Sequence, residues 1–269
     1  MVTKKSYLIR KTIKKFLFYL VLVVFWEVMY RIGVEYLHLW KSYTFSSPSS
    51  VFLTIIRLFN DNNTLGIAIL ISLRRVLIGY FISLVIGLIL GLIVVRLKYL
   101  ENNLGPLLLG LQTLPNVCWI PFAILWYGLN ESAIIFVVII GSTFSIAIAV
   151  ISGIKNINPI YVKVARTMGA RDFTLYKSII LPAAFPNIIS GMKQGWSFAW
   201  RALMAGEMLS ASIGLGQLLM MGREVFDMSQ VIAIMLIIIA IGITIDSLIF
   251  GKIESRVQYR WGCKGNSYD

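Results

Sequence analysis

The sequence predicts an all-α polytopic membrane protein with about six transmembrane helices, and three observations lead there. The 269 residues are 58% hydrophobic and 14% charged, with a mean hydropathy of +0.81, which is more apolar surface than a single soluble core of this length hides. The apolar residues fall in runs of about the 20 residues that a helix needs to cross the hydrocarbon layer. Those runs do not alternate polar and apolar positions as a transmembrane β-strand does, and a helix closes its own backbone hydrogen bonds in lipid without a neighbour.

Along the chain the candidate spans are Phe16–Val34, Ser72–Leu97, Leu104–Tyr127, Ser132–Gly153, Pro182–Leu209 and Val231–Phe250. Residues 1–15 form a basic leading segment with Lys4, Lys5, Arg10, Lys11, Lys14 and Lys15, residues 16–250 a transmembrane domain, and residues 251–269 a polar tail. Cations before an apolar run also mark a secretory leader, but no small-residue cleavage site follows, so the first run reads as an anchor. With the N-terminus in the cytoplasm, seventeen Lys and Arg residues fall on the cytoplasmic side and six on the other, with Lys193 and Arg201 inside a span. This asymmetry predicts both termini inside. It also accounts for the formal net charge of +13 without a nucleic acid partner. Cys118 sits in an apolar run and Cys263 in the tail; at different depths and without metal-ligand spacing, they predict neither a disulfide nor a metal site.

Between the first two spans, Tyr36–Leu70 is expected on the outer side. There Ser46, Ser47, Pro48, Ser49 and Ser50 precede Val51, Phe52, Ile55, Ile56 and Phe59, a helix start followed by apolar residues at three- and four-residue steps. Two readings fit: an amphipathic helix lying on the membrane surface, or a helix packed on the bundle.

The long cytoplasmic loop, residues 154–181, breaks the run of apolar spans. Ile157–Met168 is predicted to form one helix, Gly169 to end it in the left-handed conformation, and Asp172–Ile180 to form a second with its acid near the positive end of the helix dipole. Pro182 then suits the first turn of the next span. A short helix with exposed apolar positions and basic rims is something a partner's groove can grip, turning the partner's motion into rotation of membrane helices. An ordinary interhelical connection fits the same residues.

Ala165, Gly169 and, after nine residues, Ile179, Leu181 and Pro182 resemble the EAA motif of binding-protein-dependent ABC importer permeases. The family's Glu-Ala-Ala falls on Lys163, Val164 and Ala165, so the family glutamate is replaced here by the opposite charge. The likeness runs through Ser46 to Pro48, Ser72-Leu73-Arg74-Arg75 with Gly79, Gln112-Thr113-Leu114-Pro115, Ile120-Pro121, Leu125-Trp126-Tyr127-Gly128, Trp196 to Trp200, Ala205-Gly206-Glu207-Met208-Leu209 and Gly214-Leu215-Gly216. It narrows to the nitrate, sulfonate, taurine and thiamine-precursor branch. The resemblance implies a type I ABC importer permease fold in the bacterial inner membrane, with a cytoplasmic coupling helix. It further implies a second permease copy, a cytoplasmic ABC ATPase dimer using ATP and Mg, and an external solute-binding protein. The positions implied to couple to the ATPase are Lys163, Val164, Ala165, Arg166, Thr167, Met168, Gly169, Ala170, Arg171, Asp172, Leu181 and Pro182. The solute would be a sulfonate, taurine or nitrate-like anion, or a heterocycle like a thiamine precursor. No GxxxxGK followed by Ser or Thr occurs in the sequence, so any hydrolysis of ATP falls to a partner.

Ionisable residues inside spans are costly unless paired or wetted, which singles out Glu27, Lys193, Arg201, Glu207 and Asp246. Arg201 and Glu207 share a helix with Trp196 and Trp200, but six-residue spacing sets them about 240° apart, so they do not pair within it. Arg201 fits either a solute pathway or a structural position. Pro115 and Pro121 interrupt the third span, as a gate, a cavity wall or a static kink. These residues, Pro115, Pro121, Trp196, Trp200, Arg201 and Glu207, are the pathway candidates. Gly79, Gly87 and Gly91 on the second span predict close helix packing. No nucleophile, base and orienting acid come together in the pattern, so no catalytic residue is assigned. An ATP-independent secondary transporter or channel is the rival reading, and a membrane-embedded enzyme a third.

Overall fold

The computed structural model describes residues 4–41, 43–61 and 63–261, with the side chains of 4–9, 11, 12 and 172 excepted. Cys263, Lys264 and the side chains of Lys4, Lys5, Lys11 and Asp172 therefore lie outside the described residues. All regular structure among the described residues is helical. In order, the elements are α1 (Lys4–Tyr30, continued by a wide π turn, Arg31–Tyr36), α2 (Pro48–Asn60), α3 (Thr64–Arg96), α4 (Lys98–Thr113), α5 (Ile120–Tyr127), α6 (Glu131–Lys155), α7 (Pro159–Thr167), α8 (Asp172–Leu175), α9 (Leu181–Met208), α10 (Leu215–Glu224), α11 (Met228–Ile245) and α12 (Gly251–Arg260). Contacts divide the chain into two compact units. One holds the residues up to Ile67 with Leu218–Ile237, the other Ala68–Gln217 with the residues from Ile238 onward.

Four helical stretches among the described residues are long and apolar enough to cross a bilayer, Ile13–Tyr36, Thr64–Arg96, Glu131–Lys155 and Met228–Arg260. They contain the first, second, fourth and sixth expected spans, apart from Leu97 at the end of the second. The third, Leu104–Tyr127, is not one rod: α4 and the stretch Asn116–Tyr127 meet at 101°. Pro115 sits at the break, extended at ψ 136°, and Pro121 occupies the first turn of α5, where its missing N–H removes no helix bond. The fifth, Pro182–Leu209, is the 28-residue α9. It is less apolar than the other spans, because Pro186, Asn187, Ser190, Gln194 and Ser197 are spread along it as well as Lys193, Arg201 and Glu207, and it packs closely against α6.

In the first unit, α2 opens as its sequence predicts. Ser47 caps it, its hydroxyl accepting from the Ser50 N–H at 3.2 Å, with Pro48 in the first turn. Val51, Thr54 and Leu58 are buried while Phe52, Ile56 and Phe59 are exposed. The helix thus packs through one face and keeps a second apolar face free, so each of the two readings describes one side of it. The Trp26 indole donates to the Ser46 carbonyl at 3.0 Å, Ser46 and Ser229 share a hydrogen bond of 2.6 Å, and Arg57 pairs with Asp227 at 2.9 Å.

The second unit is built on α6 and α9. Small residues let the two backbones approach: a Cβ on Gly191 would overlap the methyl of Ala149, and one on Gly195 would come within 2.5 Å of Ile146. Helix α3 also packs on α6, where Gly79, Gly87 and Gly91 face Val138, Ile146 and Val150 at contact distances a methyl could not share, the close packing expected of them. Overpacking such a contact costs about 1–3 kcal/mol. Gly191→Val is therefore expected to lower the thermal unfolding midpoint of the purified protein in detergent well below that of Gly105→Ala, whose added methyl meets nothing within 4 Å; equal midpoints would count against a tight α6–α9 contact.

Candidate functional site

The stretch between α6 and α9 folds as a bend with two unlike faces. Asn158 caps α7, its side chain accepting from the Ile160 N–H at 3.0 Å, and Pro159 fills the first turn. At the other end Gly169 takes φ +87°. The Gly169 N–H donates to the Arg166 carbonyl at 3.1 Å and the Ala170 N–H reaches back to the Ala165 carbonyl at 2.9 Å, the pair of bonds that closes a helix through a left-handed residue. Helix α8 begins at Asp172, as expected, but it does not stop before α9. A π turn, Tyr176–Ile180, joins them into one helical run. Pro182 is in the first turn of α9, as expected, although the helical run continues into it from the π turn. In the wider turn preceding it, the Leu181 N–H donates to the Tyr176 carbonyl.

The inner face of this bend is anchored. Ala165, Leu175 and Ile180 are buried in one cluster with Val150 and Ile154 of α6 and Ala184 and Ile188 of α9, with Ala170, Ile179 and Tyr176 packed at its edge. The outer face is bare: Met168 is 82% exposed and Phe173 75%, beside exposed Ile160, Tyr161 and Val164. Lys163, Arg166, Thr167 and Arg171 ring that apolar patch in exposed positions, while Leu181 and Pro182 are half-buried at the root of α9.

A second constellation lies within the same unit. Glu207 is fully buried. Its carboxylate accepts from the Ser72 hydroxyl at 2.8 Å, from Arg75 Nη1 at 3.1 Å and from the Gly216 N–H at 3.0 Å. Arg75 Nη1 also donates to the Ile213 carbonyl at 2.9 Å, and the Ser72 hydroxyl accepts from the Leu215 N–H at 2.9 Å. Glu131 stands 3.6 Å from Arg75 Nε and 3.3 Å from Arg74. Three chain segments are thus tied to one carboxylate. Its partner is the arginine of another helix, not Arg201.

The other pathway candidates are dispersed. Trp196 and Trp200 are buried and stack at 6.3 Å, with Tyr80 edge-on to Trp196 at 5.2 Å and Phe250 beside it. Arg201 is exposed, lies over the Phe198 ring at 4.5 Å and donates to the Ser197 carbonyl; it has no carboxylate partner among the described residues. Lys193 is paired with Asp246 and Glu254, each at 3.4 Å, and Glu27 with Arg31, so four of the ionisable residues flagged within spans, all but Arg201, have partners. Pro115 and Pro121 are exposed at the bend. There Asn116 donates to the Phe198 carbonyl at 3.4 Å, tying the break to α9.

Sequence reading missed a polar cavity of about 530 Å³ between α4, α6 and α9. Gln112 lines it from α4, Ser145, Ser152 and Asn156 from α6 and its cap, and Asn187, Ser190 and Gln194 from α9. A signal was present: positions 145, 152 and 156, and positions 187, 190 and 194, recur at three-, four- and seven-residue steps and so mark one polar stripe on each helix.

An all-helical unit with several apolar helices and a bend anchored between two closely packed ones is the architecture of a polytopic membrane protein. The chain belongs to the family described as binding-protein-dependent transport system inner membrane component, which matches residues 83–258. Among relatives, an ABC transporter permease protein of Methanocaldococcus jannaschii is 33% identical over 66% of this chain and 67% of its own length. An aliphatic sulfonates transport permease protein of Bacillus subtilis is 28% identical over 93% and 86%, and a nitrate import permease protein of Leptolyngbya laminosa 30% identical over 69% and 66%. In fold, the chain is similar to one from the inward-facing MetNI methionine ABC transporter, with a TM-score of 0.63 at 17% identity over 72% of this chain and 96% of that one. It is also similar to an amino acid ABC transporter, at 0.61 and 16% over 77% and 98%.

Removing one partner of a buried ion pair leaves an uncompensated charge at a cost of about 3–5 kcal/mol, whereas replacing both with apolar groups is often tolerated. Glu207→Ala is accordingly expected to destabilise the protein severely, with Glu207→Ala plus Arg75→Leu recovering much of the loss, read as detergent melting temperature and membrane yield. A double variant no better than the single one would remove Arg75 from the account.

Proposed function

We propose that this chain is the permease subunit of an ATP-driven importer in the bacterial cytoplasmic membrane, with both termini and the 154–181 bend on the cytoplasmic side. In this reading residues 1–15 and 251–269 are cytoplasmic flanks of a 16–250 transmembrane domain. Two copies of the chain pair in the membrane, an ABC ATPase dimer carries the ATP and Mg, and an external binding protein delivers the solute.

The observation that carries the reading is the division of the bend into an anchored and a bare face. A rigid-body push on Met168, Phe173 and the exposed side of α7 has to move Ala165, Leu175 and Ile180, and these are packed into α6 and α9. Lys163, Val164, Arg166, Thr167, Met168, Gly169, Ala170, Arg171 and Asp172 form the docking surface, Ala165 anchors it from within, and Leu181 and Pro182 form its junction with α9. With lysine at position 163, the basic rim of Lys163, Arg166 and Arg171 meets acidic groups on the ATPase where the family glutamate would meet basic ones. On the membrane side, Trp196, Trp200 and Glu207 serve as the packed wall behind the solute path, Arg201 as its exposed charge, and Pro115 and Pro121 hold the bend beside it. The names of the relatives point to aliphatic sulfonates and nitrate, and a thiamine-precursor-like heterocycle is the other solute chemistry that the sequence resemblance allows.

Reconstituted alone in liposomes, the chain is expected to carry no solute, with uptake and solute-dependent ATP hydrolysis appearing only when the ATPase and binding protein are added; uptake by the chain alone, driven by an ion gradient, would overturn the reading. Gly169→Val places a β-branched residue at φ +87°, a strain of about 1–3 kcal/mol, and is expected to uncouple ATP hydrolysis from uptake while leaving the chain in the membrane. Lys163→Glu, at an exposed position where an ion pair contributes under about 1 kcal/mol, is expected to reduce coupling by less than Gly169→Val; the reverse order would relocate the main contact to position 163.

A further inference from the structure

We infer that the C-terminal helix α12 is a brace on the root of α9, and that Trp261 is a positioning residue which closes a hinge left there by Pro186. The inference rests on the permease reading and concerns how a push on the 154–181 bend reaches the rest of α9.

The hinge follows from the covalent chemistry of proline. In an α-helix each N–H donates to the carbonyl four residues back. Pro186 lies inside α9 and has no N–H, so the Pro182 carbonyl lacks its usual donor, and the proline ring crowds the turn before it. A helix missing one bond of its ladder bends most readily at that point. The weak point falls one turn beyond Leu181 and Pro182, the junction through which the bend joins α9. Without support, force delivered to the bend would be lost in flexing at Pro186 before it reached Trp196 and Trp200.

The missing donor comes from another helix, as freed carbonyls in membrane helices require. The Trp261 indole N–H donates to the Pro182 carbonyl at 2.6 Å, and its ring lies on Phe185 with centroids 5.6 Å apart and planes tilted 31°. This contact is one end of a seam. At the other end Glu254 accepts from Ser190 at 3.3 Å and pairs with Lys193 at 3.4 Å, and between the two ends Val257 is buried. Residues 254, 257 and 261 recur at three- and four-residue steps and so share one face of α12. As their numbers rise, those of their partners on α9 fall from 193 to 182. The two helices therefore run antiparallel over the first three turns of α9, with attachments on both sides of Pro186. A splint fixed above and below a hinge passes force across it, and α12 holds that position between the bend and the membrane part of α9.

The test uses the assembled importer, this chain with its ATPase, in nanodiscs. Gln194→Cys places a thiol at an exposed position of α9, about two turns beyond Pro186, in a background of Cys118→Ser and Cys263→Ser. Its rate of reaction with a maleimide is measured without nucleotide and with ATP, Mg and vanadate, and the ratio of the two rates is the readout. Trp261→Phe keeps a ring for Phe185 to stack on and removes the N–H. It is expected to bring the ratio about fivefold closer to one, the size of one lost hydrogen bond. Pro186→Ala gives residue 186 an N–H for the Pro182 carbonyl, and is expected to restore the ratio in the Trp261→Phe background. An unchanged ratio in Trp261→Phe overturns the brace, and so does a loss that Pro186→Ala leaves uncorrected. A contact that only adds stability would lower the melting temperature and leave the ratio alone. A parent that holds no ATPase, or whose labelling ignores vanadate, fails the permease reading and the brace with it, whereas a responsive parent indifferent to Trp261 fails the brace alone.

Discussion

The close approach of α6 and α9 is the constraint on which the second unit depends. Hydrophobicity alone cannot hold helices together in lipid, because the tails are as apolar as leucine, and association rests on van der Waals contact between backbones brought near by small residues. Gly191 against Ala149 and Gly195 against Ile146 provide that contact. What the unit then does follows from it. The bend between the two helices is short and rooted at both ends, and the polar stripes of α6 and α9 are forced to share one cavity.

In the proposed reading, the same pair lets the bend act as a lever. Its buried residues belong to a cluster drawn from α6, from the bend and from α9, so none of these three can move by itself without opening a packed core. Close-packed cores respond to force as bodies with discrete arrangements, not by continuous deformation. Opposite the bend, Glu207 gathers Ser72, Arg75 and the Gly216 amide around one carboxylate. Such a cluster, fully satisfied on its carboxylate side, fixes the C-terminal end of α9 against the N-terminal part of α3. One end of α9 is therefore held by charge and the other by apolar packing.

Much of this was legible in the sequence where the signal is local. Helical class, four of the spans, the Ser47 cap, the Gly169 turn and the break at Pro115 each depend on residues within a few positions of one another, and each emerged at its expected place. Spans chosen by apolarity become less distinct where polar side chains accumulate, as Asn187, Ser190, Gln194 and Ser197 do on α9, which is nevertheless a 28-residue helix. Pro182 stands in the first turn of α9, as its local rule predicts. What local rules did not foresee is that the π turn at Tyr176–Ile180 runs into α9 without a break.

The sequence by itself determined that this chain lives in a bilayer, that it is helical, and that residues 154–181 form a bend with a left-handed glycine at its apex. Those properties come from hydrophobicity, backbone geometry and capping, all of which act over a few residues. Only the tertiary structure decided which charges meet. Glu207 lies 135 residues from Ser72 and 132 from Arg75, and the cavity draws its walls from three helices. Pairings at such separations are selected by how whole helices pack, and a single sequence carries no local trace of that choice.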